Sequence, residues 1–392
     1  MKNLTNNPLG YISLGSISQL LVMISVPILT KFYDPESFGR FSYITSLSIL
    51  LASVQCLGLQ KSLLRTNQKI KLNKYLNYVL AIIILSTTIA LLLLIFLPFK
   101  LEYIILCLLA FFTSINELFK FYFLSLSNLK PILLTKYSSS VLSPISKMFF
   151  FLTSVSSKGL LLGQLVEKIF TSIVSLYYSK VTFQLPRFKD ILAFAKNNID
   201  FIKFSLPSTF LNISSSNLLV YVLPFYFSFE ILGYYFLANK ILNIPTSSVG
   251  KLVSEFFTSK YIKSTNKKKL LNKTVKNLVF VSLPLFLLIF ILSESLIDFF
   301  FEKQWNFASV LIKILIPLHF FRFISSPCSY IFEIEKKNHV LFKFNFFYLL
   351  VTLISVFSLT IFELNINNFL ILYSLLGSII YLYLLQLSKK IL

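Results

Sequence analysis

Charge is scarce in this chain, and acidic charge scarcer still. Only 13% of the 392 residues are charged, with 15 Asp and Glu set against 37 Lys and Arg, a formal net charge of +22. A soluble domain carries about a quarter charged residues, so this composition excludes a water-facing surface of ordinary polarity. A nucleic-acid binder would also be strongly basic, but it needs its cations interleaved with a soluble fold. A chain that is 56% hydrophobic with mean hydropathy +0.78 does not supply one. Cysteine is equally sparse: Cys56, Cys107 and Cys328 lie far apart in apolar runs, with no C-x-x-C pair and hence no metal or redox signature. The two histidines, His319 and His339, have no ligand partner at helical spacing. No G-x-x-x-x-G-K-[ST] run occurs, which argues against ATP hydrolysis by this chain. No catalytic residue, metal or cofactor is expected. His319 reads as a packed or hydrogen-bonded residue of a helix bundle.

Long apolar runs are abundant. A bilayer core about 30 Å thick is crossed by about 20 mostly apolar residues in a helix. Twelve such runs can be marked, at 10–30, 40–59, 76–98, 101–126, 133–155, 159–179, 204–229, 231–257, 275–301, 307–331, 341–362 and 367–387. The first continues past Pro27 without a small-residue cleavage site, as an uncleaved span rather than a signal peptide. Runs 40–59 and 133–155 are rich in Ser and Thr, whose side chains can bond their own backbone. The runs do not alternate, which disfavours a β-barrel. Placing the N-terminus inside puts 25 of the 37 Lys and Arg on cytoplasmic segments, 5 on outer loops and 7 within spans. That bias is what the positive-inside rule demands. The expectation is an all-α integral membrane protein of twelve transmembrane helices in two six-helix lobes, both termini cytoplasmic. The lobes are 1–180 and 204–392, joined by a cytoplasmic loop at 181–203. No outer loop exceeds about ten residues on this span assignment, which disfavours a membrane polymerase or glycosyltransferase. The basic inner loops follow from topology and attraction to anionic lipids.

The two halves echo one another. ISVPILTKFYDPESFGRFSY around Pro27 and YVLPFYFSFEILGYYFL around Pro224 each place a proline near the outer end of a span. Each then carries Glu-x-x-Gly (Glu36/Gly39, Glu230/Gly233) and aromatic residues opening the next helix, with a gap of three residues between proline and motif in one copy. Span 1 thus matches span 7, and span 2 matches span 8, as parallel repeats. Glycine is rare, with 9 in all, so bending falls to prolines within spans and to Ser214, Ser215 and Ser216.

A charge at mid-bilayer costs at least ~2.5–3.5 kcal/mol, so charges inside spans face a cavity or a partner. Glu117 can pair with Lys120, and Lys251 with Glu255, at helical spacing. Glu294 and Asp298 sit near an outer end, while Lys147 and Lys313 are placed to snorkel. Lys168 adjoins Glu167 but on another helix face, leaving its partner open. Lys240, in ANKILNIP, and Arg322, in LHFFRFISSP, have no acid nearby in sequence, and Lys31 closes span 1. An unpaired cation suits an anionic ligand, phosphate above all; an acid elsewhere in the bundle is the structural alternative.

These residues carry a resemblance. SLGSISQLLVMISVPILTKFYDPESFGRFSYITSLSILL resembles the first two spans of Wzx-type polysaccharide flippases of the multidrug/oligosaccharidyl-lipid/polysaccharide exporter superfamily. KFSLPSTFLNISSSNLLVYVLPFYFSFEILGYYFLANKILNIPTSSVGKLVSEFF is similar to the seventh and eighth spans, and FFFEKQWNFASVLIKILIPLHFFRFISSP to the ninth and tenth. The matches cover about a third of the chain, with hydropathy compatible with twelve spans across the rest; Lys240 stands where arginine is common. The resemblance implies translocation of an undecaprenyl-diphosphate-linked oligosaccharide by alternating access in a bacterial inner membrane. Its partners would be the lipid-linked oligosaccharide, membrane lipids, and a polysaccharide polymerase with other assembly proteins, and no nucleic acid. It implies a hydrated cleft lined by spans 1, 2, 7 and 8. Lys240, Lys31 and Arg322 would pair there with diphosphate, and Asn212, Asn217 and Asn239 with sugar hydroxyls. The rival is a cation-coupled multidrug exporter of the same superfamily, which usually keeps an acid deep in an early span; here Asp34 and Glu36 lie in the outer loop.

Overall fold

The computed structural model describes residues 18, 21–65, 68–94, 101–126, 128–153, 158–246, 264–328 and 337–391, with 253, 257, 261, 331, 332 and 335. Among the described residues every regular element is helical. In chain order these are α1 (21–29), α2 (Pro35–Gln55), α3 (Lys69–Leu93), α4 (Leu101–Ser125), α5 (Lys130–Leu152), α6 (Gly159–Ser179), α7 (Phe188–Asn197), α8 (Leu206–Tyr226), α9 (Phe229–Pro245), α10 (Lys267–Phe300), α11 (Phe307–Ile324), α12 (Asn338–Phe362) and α13 (Ile366–Ile391). Seven helical segments among the described residues are individually long and apolar enough to cross a bilayer. An eighth arises if α2 and the short 3₁₀ helix Leu59–Arg65 count as one span, bent by 56° where Leu57 and Gly58 take positive φ. The chain is a multi-pass membrane protein.

Apolar runs decide where these helices lie, and polar residues decide where they start. Helix α3 begins at Lys69, ahead of the expected 76, and α10 begins at Lys267, ahead of 275. Both extend past the hydrocarbon through lysine-rich turns. The connecting segment carries an unexpected short helix, α7, whose Phe188 and Leu192 are exposed beside Lys189 and Lys196. Such a composition suits the plane of a membrane surface. The Ser and Thr of α2 and α5 bond back to their own helices: Thr45 Oγ1 donates to the Phe41 carbonyl (2.7 Å), Ser138 Oγ to Leu134 (2.8 Å) and Ser146 Oγ to Leu142 (2.8 Å). The cost of carrying hydroxyls through lipid is thereby met inside the helix. Helices α5, α10 and α11 run unbroken on both sides of Pro144, Pro284 and Pro317.

The chain divides into two compact units, residues 1–33 with 40–214, and 34–39 with 215–392. In unit 1 the core gathers Leu59, Leu63, Leu72, Leu76 and Phe119, with Phe194 of α7 packed onto Tyr75 and Tyr78. In unit 2, α11 and α13 run parallel: Leu318 lies against Gly377, and Cys328 Sγ is 3.3 Å from Ser388 Oγ. Trp305 is fully buried, with Phe38 set edge-on at 5.3 Å. Outward faces are apolar, as at Phe280, Ile291 and Phe299 of α10, the inverse of a soluble helix.

Unit 2 also explains the repeated Glu-x-x-Gly. Asp34 caps α2, accepting from the Ser37 amide at 2.9 Å, and Ser228 caps α9, accepting from Ile231 at 3.2 Å. The two glycines then abut reciprocally. A Cβ on Gly39 would fall 1.8 Å from the Phe229 carbonyl oxygen, and one on Gly233 would fall 1.8 Å from that of Pro35. Only glycine permits this approach.

Candidate functional site

Buried ionisable side chains occur in both units: Lys147 and Glu167 in unit 1, His319 in unit 2. In unit 1, Lys147 is 7% exposed and Glu167 is 2% exposed. They are linked through an amide: Lys147 Nζ donates to Gln164 Oε1 at 2.9 Å, and Gln164 Nε2 donates to the Glu167 carboxylate. Lys147 Nζ also lies 4.6 Å from the centre of the Phe41 ring, and the Tyr33 hydroxyl donates to the Lys147 carbonyl (2.7 Å). Lys168 Nζ reaches the other Glu167 oxygen at 3.5 Å. Lys147 therefore does not snorkel; a neutral glutamine between it and Glu167 makes burial tolerable. Lys168 finds its partner next door, its long stem curling back along its own helix.

Two further pairings differ from expectation. Glu117 and Lys120 do not form an ion pair: Gln60 Nε2 donates to Glu117 (3.5 Å), while Lys120 is exposed with Nζ 5.9 Å from the Phe121 ring centre. Lys313 does not merely snorkel, since it pairs with Glu294 of α10 at 2.5 Å. Lys251 and Glu255 lie outside the described residues.

In unit 2 the sequence candidates divide. Lys240 is exposed on α9, one turn before Pro245, with Nζ 5.5 Å from the Phe236 ring centre and no carboxylate partner among the described residues. Asn239, its neighbour, turns inward: its Nδ2 donates to the Tyr235 carbonyl (3.1 Å), and its Oδ1 lies 3.0 Å from His319 Nε2 on α11. His319 is thus a buried, hydrogen-bonded bundle residue. Arg322, one turn further along α11, is half-buried, with four tyrosines in its electrostatic reach: Tyr381, Tyr348, Tyr373 and Tyr235. The hydroxyls of Tyr348 and Tyr373 are 3.1 Å apart. So Asn239 and His319 bond across α9 and α11, with Arg322 three residues beyond His319 on α11. In unit 1, Lys31 is exposed just after α1. On α8, Asn212 is exposed, and Asn217 Nδ2 donates to Ser216 Oγ (3.4 Å). The tyrosines escaped sequence reasoning because they come from α9, α12 and α13, distant in sequence. The eight-residue spacing of Tyr373 and Tyr381, which sets both on one face of α13, was the available signal.

The arrangement of apolar helices is shared with solved transporters. The fold is similar to an inward-facing multidrug resistance MATE family transporter of the MOP superfamily (TM-score 0.69, 11% identity, covering 95% of this chain and 94% of that one). It is equally similar to the lipid II flippase MurJ in an inward closed conformation (TM-score 0.69, 18% identity, covering 96% and 87%). A MOP superfamily transporter from Pyrococcus furiosus Vc1 aligns at TM-score 0.61, with 12% identity over 99% of this chain and 96% of that one. The class is therefore a multi-pass membrane protein with the MOP-superfamily transporter fold. Within it, residues 28–310 match the model of the family described as polysaccharide biosynthesis protein, and the chain belongs to that family. The resemblance to polysaccharide flippases of the superfamily stands. Over 177 residues the chain is 27% identical to the teichuronic acid biosynthesis protein TuaB of Bacillus subtilis (strain 168), a match spanning 44% of this chain and 34% of that protein.

Proposed function

We propose that the chain is a flippase moving an undecaprenyl-diphosphate-linked oligosaccharide, the repeat unit of an O-antigen, capsule or other surface polysaccharide. The movement runs from the cytoplasmic to the outer leaflet of a bacterial inner membrane, by alternating access and without catalysis of its own. Twelve spans, two lobes at 1–180 and 204–392 around the loop 181–203, and cytoplasmic termini form part of this proposal. Membership of a polysaccharide biosynthesis family supports it, as does the shared fold with a protein named as a lipid II flippase.

The physical need is simple. Sugars and a diphosphate do not cross hydrocarbon unaided, whereas a polyprenyl tail stays in the bilayer throughout. The protein must offer the headgroup cations and hydrogen-bonding groups at membrane depth. The observation that carries the reading is Lys240: an exposed cation on a spanning helix with no carboxylate partner among the described residues. Lys240 and Lys31 are assigned to the diphosphate, and Asn212 and Asn217 to sugar hydroxyls. Arg322 is a further candidate for the diphosphate and Asn239 for a sugar hydroxyl, Asn239 also lying 3.0 Å from His319 Nε2. A cation-coupled exporter would need a free intramembrane acid. Spans 1 and 2 have none, and the buried Glu167 is already engaged by Gln164 and Lys168.

The test is complementation of a deletion strain with expression verified by blot. Lys240→Ala is expected to lose most surface polysaccharide, and Lys240→Arg to retain it. Unchanged assembly with Lys240→Ala overturns the assignment.

A further inference from the structure

We propose that α7, with the segment 181–187 leading into it, is a docking surface for anionic phospholipid. Its exposed apolar side chains enter the acyl boundary, and the cations beside them hold headgroup phosphate. Topology accounts for basic residues on this connection, but not for what stands among them. Phe183, Leu185, Phe188 and Leu192 lie outside the long apolar runs and are exposed, Leu185 almost fully at 95%. Singly exposed apolar residues need no explanation, whereas a cluster of large ones marks an interaction surface.

The helix sorts its residues by side. Phe194, with Ile191 and Ala195, packs into the unit 1 core. Phe188, Leu192 and Lys196 follow one another at four-residue spacing along a second, exposed face, with Lys189 at its margin. Asp190, Ala193 and Asn197 are exposed on the remaining side. The exposed apolar face thus has a basic edge, and the acid of the helix is set away from it. Arg187 before the helix and Lys203 after it are exposed as well.

Attachment to α3 fixes the depth. Phe194 meets the rings of Tyr75 at 4.8 Å and Tyr78 at 5.2 Å, and Asn77 Nδ2 donates to the Thr182 carbonyl at 3.3 Å. Lys69, Lys71 and Lys74 are exposed just before these residues, and the apolar run starts just after Tyr75. At 1.5 Å per residue, Tyr75 stands about 9 Å along α3 from Lys69, enough to pass from the headgroup surface to the acyl boundary. Tyrosine is itself enriched at that level. Cations with apolar side chains between them suit an anionic lipid, whose phosphate and acyl chains are stacked in that order. An acidic protein offers no acyl layer at this depth. The surface is separate from Lys240, and either assignment can fail while the other stands.

The experiment uses full-length protein carrying Phe188→Trp in phosphatidylcholine nanodiscs. Brominated phosphatidylglycerol or brominated phosphatidylcholine is admixed at increasing mole fraction, and quenching of the introduced indole is read. Trp305 is fully buried, and its signal is subtracted with the unsubstituted protein. One cation near the surface favours anionic lipid by about fivefold. Half-maximal quenching should therefore need at least about fivefold less brominated phosphatidylglycerol than brominated phosphatidylcholine. Adding Arg187→Gln, Lys189→Gln and Lys196→Gln should bring the two lipids within about twofold of each other. Lys268→Gln with Lys269→Gln, two exposed lysines of α10, should leave the ratio unchanged. Equal quenching by both lipids, or a preference that the α10 pair also removes, overturns the proposal. Absence of quenching by either lipid overturns it too, because water or a protein then covers the face. So does displacement of the brominated lipid by undecaprenyl diphosphate at equal mole fraction, since the surface then serves the transported headgroup.

Discussion

Lys147 in unit 1 and Arg322 in unit 2 are both cations held among packed membrane helices, but their neighbours treat them differently. Lys147 is bonded to Gln164, which is bonded to Glu167, which also meets Lys168, so that the charge is answered within the protein. Arg322 has no carboxylate partner among the described residues, and tyrosines are its electrostatic neighbours. The contrast teaches where to look for chemistry. A closed charge cluster is explained by folding, whereas a cation with no carboxylate partner among the described residues is a candidate for chemistry.

Removing charge from each interior tests that contrast with opposite expected signs. Glu167→Leu leaves Lys147 without its anion and should destabilise the protein by about 3–5 kcal/mol, read from thermal or denaturant unfolding in detergent. The double variant Lys147→Met with Glu167→Leu should recover most of that loss. Arg322→Leu removes a cation that no carboxylate answers among the described residues, so its stability should be unchanged or higher. A loss as large as that of Glu167→Leu would place a protein anion beside Arg322 and erase the contrast. Gly39→Ala and Gly233→Ala calibrate pure packing loss in unit 2, at about 1–3 kcal/mol each. Their double variant should cost less than the sum, because both act on one contact. Lys313→Ala should cost under about 1 kcal/mol by the same unfolding assay, as expected for an exposed pair.

The smallest effect is one of pH. The Arg65 hydrogen bond holds the Asp200 carboxyl below its usual range. Bonds from Lys267 and Tyr261 do the same for Glu335. A depressed carboxyl contributes stability above its unfolded value and loses it as pH falls through the native one. The thermal midpoint should therefore stay flat near neutrality and decline only below about pH 4, more gently in Asp200→Asn and Glu335→Gln.

Helix positions were legible because apolar runs are long and lipid gives the backbone no alternative to helix. The repeat at Glu36/Gly39 and Glu230/Gly233 was legible as a pattern, but not that the glycines touch. Touching is a property of two helices, and one sequence carries each. The same limit hid the charge pairing. Gln164, a neutral residue 17 positions from Lys147, gives no charge signal, and Glu294 lies 19 positions from Lys313. Helix α7 was missed because ten residues with three charges read as loop. Of the site candidates, Lys240 and Arg322 were visible by what they lack, an acid within a turn. The tyrosines that distinguish Arg322 from Lys240 were not.

The reciprocal glycine contact has a consequence for how the two repeats have diverged. Gly39 and Gly233, and the carbonyls of Pro35 and Phe229 that face them, stand at a constant offset of 194 positions. Each repeat supplies both the gap and the group that fills it. A side chain gained in either copy is felt by both and cannot be repaired within one. Flanking positions are under no such tie, and there the copies have parted: aspartate against serine at the cap, proline against phenylalanine after it. A residue that serves only its own helix can differ between the copies, whereas either glycine is held by the backbone of its twin.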